Sequence, residues 1–163
     1  MAVRKNPSPR KTMAERFAAL VGDAEDGGCI PWAGHRNIHG YGSFYAHGRP
    51  MGAHRVAVEL ARGPIPDGME VDHICHNPAC VNPEHLRVVT AAENRQNRRA
   101  ATRASKSRIR GVYAHQGRWR AVVRVDGKNR HIGMFDTPEE AGSAAAEARR
   151  ALMPYSEMDK RTC

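Results

Sequence analysis

The stretch that most constrains this chain runs Glu70-Val-Asp-His-Ile-Cys-His-Asn-Pro-Ala-Cys-Val-Asn-Pro-Glu-His-Leu-Arg-Val-Val-Thr-Ala-Ala-Glu-Asn-Arg-Gln-Asn97. Asp72, His73, Cys75, His76, Cys80, His85 and Asn94 fall within 23 positions. Groups of this kind are costly to bury unpaired, so ordinary cores do not concentrate them. A polar loop with incidental thiols is the weaker alternative. The residues divide into two chemical sets.

Cys75, Cys80 and His85 have the character of structural zinc ligands, since zinc takes thiolate and imidazole in a closed tetrahedral shell. Asn77-Pro78 and Asn82-Pro83 are turn formers that fold the segment back on itself. A fourth ligand would close the shell. Apart from Cys163, Cys29 is the remaining cysteine, and His76 competes from within the loop. Cys29 is favoured because Cys75 constrains the approach of its neighbour His76.

The second set is Asp72, His73 and Asn94. Val71 and Ile74 suggest a short strand that carries Asp72 and His73 on opposite faces. Residues 86–89 read as the return strand, and Thr90-Ala-Ala-Glu93 is a capping box that opens a helix. Asn94 and Asn97 then share one helix face. The expected order is strand, stapled loop, strand, helix.

These residues resemble the ββα-metal nucleases, the HNH family and its His-Cys-box homing endonucleases, over residues 29–98. The resemblance implies that His73 is the general base that activates water. It implies that Asp72 and Asn94 hold a divalent ion, magnesium or manganese. His85 stands where HNH proteins carry their middle asparagine, a departure that matches the His-Cys-box form, in which that position and three cysteines bind zinc. By the same resemblance a basic residue near the preceding helix faces the scissile phosphate, and Arg55 is the candidate.

A chain of 163 residues with 6% aromatics and 25 glycines and prolines suits small stapled units better than one large core. Its net charge of +9 points to a polyanionic partner. Residues 1–94 carry ten Lys/Arg and ten Asp/Glu, whereas residues 95–163 carry sixteen against seven. The whole excess therefore lies in the second half. Four cysteines in a metal-like pattern fit a reducing cytoplasm rather than a secreted disulfide scaffold. No signal peptide or membrane span is expected.

Residues 1–11 read as a basic tail and 12–21 as a short amphipathic helix with Met13, Phe17 and Leu20 on one stripe. Residues 41–55 suggest a hairpin, and 54–62 a helix stopped by Gly63-Pro64. Residues 99–107 form a basic linker into which the helix from Thr90 is expected to run, fraying near Thr102. Arg98 and Arg99 are taken as phosphate contacts.

Residues 108–155 read as three strands and a helix. Alternation over Trp119-Arg-Ala-Val-Val-Arg-Val125 puts Trp119, Ala121, Val123 and Val125 inside and Arg120, Val122 and Arg124 outside. Asp126-Gly127 is a hairpin turn, and Thr137-Pro-Glu-Glu140 a helix start. Arg110-Gly-Val112, Ile132-Gly-Met-Phe135 and Thr137-Pro-Glu-Glu-Ala141 resemble the Apetala/ethylene-response-factor DNA-binding domain, whose sheet lies in the major groove. That resemblance implies base or phosphate contacts from Arg110, Arg120 and Arg124, with Tyr113, Lys128, Arg130 and His131 beside them. His131 replaces a usual tryptophan and Val122 a common glutamate, so the plant recognition sequence does not transfer.

The expected fold class is α+β: a zinc-stapled ββα-metal nuclease domain over residues 12–98, then a small three-stranded antiparallel sheet packed on one helix, then a tail from residue 156. The expected function is a homing-type DNA endonuclease that acts on double-stranded DNA in the cytoplasm, with no membrane or small-molecule cofactor. Monomer and homodimer are equally compatible with the sequence. The rival function is a non-catalytic, zinc-braced transcriptional regulator. A chain ending near Arg99 is expected to keep the chemistry, and residues 104–163 to bind duplex DNA.

Overall fold

The computed structural model describes residues 10–98, 101 and 105–160. In chain order the elements are α1 (Met13–Ala18), β1 (Ser43–Ala46), β2 (Arg49–Gly52), α2 (Ala53–Arg62), β3 (Glu70–His73), β4 (Leu86–Val89) and α3 (Ala91–Gln96). After these come β5 (Val112–His115), β6 (Arg118–Val125), β7 (Lys128–Phe135), α4 (Pro138–Leu152) and α5 (Glu157–Lys160). Mixed helices and small sheets are thus present as expected. No helix among the described residues is long and apolar enough to cross a membrane.

The chain forms two compact units, one from residues up to 67 together with 75–87, the other from 68–74 together with 88 onward. In the first, α1 begins at a capping box in which Thr12 and Glu15 satisfy each other's backbone donors. Phe17 packs its ring 4.9 Å from Trp32 and 5.3 Å from Phe44, and this aromatic trio anchors a core that otherwise has few large side chains. Leu20, expected on the same stripe, is exposed instead, because the helix ends at Ala18. β1 and β2 pair through a two-residue turn in which His47 and Gly48 both have positive φ, so Arg49 and Pro50 belong to the strand. α2 buries Val56, Ala57 and Val58.

In the second unit, α3 opens on the expected Thr90–Glu93 capping box. It does not run on into the linker; it stops after six residues at Asn97. The physical reason lies downstream, where the Arg110 guanidinium donates to the carbonyls of Gln96 (2.9 Å) and Arg98 (2.8 Å) and so satisfies the orphan acceptors of the helix end. The expected fraying near Thr102 lies outside the described residues.

β5, β6 and β7 form an antiparallel sheet in sequence order, with α4 packed upon it. Val112, Ala121 and Val123 meet Ala141 and Ala145 of α4, and the alanines allow that close approach. Gly111 is obligatory: its φ is +81°, and a Cβ there would lie 2.5 Å from the Val122 carbonyl oxygen. Residues 157–160, expected as tail, form α5, held by a buried double ion pair from Arg149 to Asp159 (2.8 and 2.7 Å).

Candidate active site and metal centre

The first unit brings Cys29, Cys75, Cys80 and His85 together. Their ligating atoms all lie within 4.8 Å of one another, and the cluster can hold a metal ion. The backbone explains how. Trp32 N–H donates to Ala79 O (2.8 Å) and Val81 N–H to Ile30 O (2.7 Å), so the segment after Cys29 pairs with the segment around Cys80. The Asn77 side chain accepts from Ala79 N–H, and the Asn82 side chain caps the 3-10 turn Pro83–His85, which aims His85 inward.

Cys29 Sγ lies 3.6 Å and Cys80 Sγ 3.7 Å from His85 Nδ1. Tetrahedral zinc with thiolate at about 2.3 Å and imidazole at about 2.05 Å requires an S···N separation of about 3.6 Å, so the donor set fits that ion. Burial pushes the Cys75 thiol up to about 12, helped by the neighbouring Cys80 and Cys29 sulfurs. The Cys80 thiol is raised as well, chiefly by burial. His76 stands outside the cluster, in left-handed backbone with φ of 58°.

The second unit holds the other set. Asp72 and His73 are both buried on β3. Asn97 donates through Nδ2 to Asp72 Oδ1 (3.0 Å) and Oδ2 (2.9 Å) and to the His73 carbonyl (3.1 Å). Asn94, expected beside Asp72, instead donates to Glu70 Oε2 at 2.6 Å. Glu70 and Asp72, two apart on a strand, share its helix-facing side, and each takes one asparagine of α3. Alternation in β3 was the available signal for Glu70. The Asn94 amide thus turns its NH2 to Glu70. Arg55 is half-buried in the first turn of α2, in the first unit.

On the sheet, Tyr113 lies opposite Arg120, Val122 opposite His131, and Arg124 opposite Asn129. Arg120 and Arg124 therefore face outward as expected, Tyr113 and His131 share that face, and all four are exposed. Lys128 and Arg130 pair with Val125 and Val123, so the register puts them on the α4 side, though exposed. Arg110 is turned inward onto the end of α3 and lies 3.7 Å from Asp159. Arg98 is exposed, and Arg99 lies outside the described residues.

A buried Asp-His pair on a strand is thus faced by two asparagines, Asn94 of α3 and Asn97 at its C-terminal end. The HNH endonuclease family pattern matches residues 51–96. The chain belongs to one family with a set of phage proteins. It is 42% identical over 69 residues to the uncharacterized gene 5.3 protein of Enterobacteria phage T3, a match covering 38% of this chain and 68% of that one. It is 41% identical over 69 residues to Protein 7.7 of Escherichia phage T7, covering 42% of this chain and 53% of the relative. Protein 3.8 of the same phage is 32% identical over 83 residues, covering 50% of this chain and 68% of the relative. The chain thus spans about half the length of Protein 7.7. No solved structure matches the chain.

Proposed function

We propose that this protein is a metal-dependent endonuclease of the homing type that hydrolyses phosphodiester bonds in duplex DNA. The observation that carries the reading is the buried Asp72–His73 pair, inside the segment that matches the HNH family, held by Asn97 at the end of α3 just beyond that segment. Asp72 and Asn94 would hold a magnesium or manganese ion, which when bound neutralises charge on the phosphate and on the leaving oxygen. Neutral His73 accepts a proton from a water molecule, the water oxygen attacks phosphorus in line, and the P–O3′ bond breaks. Cys29, Cys75, Cys80 and His85 would hold a structural zinc that closes the loop between the strands. The outward face of β5–β7 supplies the duplex contacts through Tyr113, Arg120, Arg124 and His131, in the manner of an Apetala-type sheet. The setting is the infected host cell, as for the phage relatives.

The test is supercoiled plasmid incubated with the protein and magnesium, with and without chelator. His73→Ala is expected to lower cleavage at least ~100-fold, the usual contribution of a positioned base, while duplex affinity and melting temperature hold. A His73→Ala protein that cuts at the wild-type rate overturns the mechanism. A wild-type protein that binds duplex DNA with metal and never cuts it makes the chain a zinc-braced regulator.

A further inference from the structure

Asn97 is 7% exposed, and both ends of its amide are in use. Nδ2 grips both Asp72 carboxylate oxygens and the His73 carbonyl, while Oδ1 accepts the backbone N–H of Glu157 at 3.1 Å. A backbone N–H can face only the oxygen of an amide, and a carboxylate only its N–H groups, so the two partners together fix the orientation.

The same end of α3 is held elsewhere by the same part of the chain. Tyr155 N–H reaches Gln96 Oε1 at 3.4 Å, Arg110 takes the Gln96 and Arg98 carbonyls, and its Nη1 also donates to Ser156 Oγ at 3.2 Å. Asp159, bonded by the Ser156 hydroxyl and by Arg149, pins α5 to α4. From these contacts we infer that Asn97 is a positioning residue: the Glu157 N–H orients its amide, which clamps the plane of the Asp72 carboxylate. The C-terminal segment is thereby a working part of the metal site. This rests on the nuclease reading of Asp72 but concerns residues that reading does not use.

Glu157→Pro in the full-length chain deletes the N–H while keeping a residue that the first position of a helix accepts. Glu157→Ala keeps the N–H and controls for loss of the carboxylate and its 3.1 Å pair with Lys160. Two readouts are independent of cleavage. One is Mn2+ affinity, from the paramagnetic signal of the free ion. The other is solvent exchange of the Asn97 side-chain amide protons, by NMR with no metal present. Loss of a group that orients a ligand weakens metal binding by about 10–100-fold, and that is expected for Asn97→Ala and for the isosteric Asn97→Asp. Glu157→Pro is expected to weaken Mn2+ binding in the same direction and to speed amide exchange at least ~10-fold relative to Glu157→Ala, which behaves as wild type.

The inference falls if Glu157→Pro and Glu157→Ala exchange alike, or if folded Asn97→Ala or Asn97→Asp binds Mn2+ as wild type does. Should Glu157→Pro fail to fold, Asn97→Asp decides by Mn2+ affinity alone. A chain that shows both effects yet never cuts DNA loses the nuclease reading and keeps the clamp. A chain that cuts DNA with neither effect keeps the nuclease reading and loses the clamp.

Discussion

Cys29 stands 46 positions before Cys75 and meets it through the pairing of residues 30–32 with 79–81. Removing one of four zinc ligands forfeits folding free energy, because such metal binding is coupled to folding. Cys29→Ser is expected to release the ion and lower the melting temperature of the first unit, as elemental analysis and calorimetry would show; retention of one full equivalent of zinc contradicts the assigned shell. This ligand was legible because so few cysteines were available. The asparagines were less so, since Asn94 and Asn97 share a face and only their partners separate their roles. Arg110 was misplaced for a physical reason: β5 begins at Val112, so strand alternation says nothing of residue 110. Arg110→Ala is therefore expected to cost stability, about 1.5–3 kcal/mol for hydrogen bonds from a charged group. Arg124→Ala should leave stability within about 0.5 kcal/mol and weaken duplex binding by about 1–3 kcal/mol if it reads a base. Parallel melting and binding titrations of the two variants check the contrast, and the reverse pattern sinks it.

Among the elements, α3, α4 and the β6–β7 hairpin were readable because each carries its own punctuation, a capping box or an Asp-Gly turn. The turn at Gln116-Gly117 has the same pair of positive φ values and was missed, since glutamine is an unusual first residue there. α5 carries only the short Ser156-x-x-Asp159 pattern, which was not read as a helix start. Four residues show no periodicity, and its support is the remote Arg149. Burial alone would raise the Asp159 carboxyl, but the Arg149 guanidinium and the Ser156 hydroxyl outweigh it and hold the group below its ordinary 3.8. A depressed carboxyl stabilises the fold above that ordinary value, and the contribution drains away as pH falls through the folded value. Asp159→Asn, which leaves Arg149 buried beside a neutral partner, is expected to cost about 3–5 kcal/mol near neutrality. The gap to wild type should narrow as pH drops below 3.8; denaturant melts across that range test it, and a gap that stays constant with pH refutes the ion-pair account.

At the scale of the molecule, the compact units do not follow the order in which the functional segments are written. Residues 68–74, with Asp72 and His73, belong to one unit with residues 88 onward, so the unit that carries the proposed base also carries the β5–β7 sheet. A chain ending near Arg99, expected from sequence to keep its chemistry, would lack both the Arg110 grip on α3 and the Glu157 N–H on Asn97. Measured at saturating DNA with the metal concentration varied, its cleavage is expected to need about 10-fold or more additional metal to reach half its maximal rate, besides the lost DNA affinity. Full activity of that truncated chain at wild-type metal concentrations contradicts this. The 60-residue separation between Asn97 and Glu157 also has a meaning in time. At about 5–20 residues per second, a ribosome needs roughly 3–12 s to pass from one to the other. During that interval the nascent chain already contains the carboxylate, the imidazole and the asparagines, but not the backbone N–H that sets them. Under the proposed function, the chain would thus be translated with its site unlatched, and it would become competent only after β5–β7 and α5 have been synthesised.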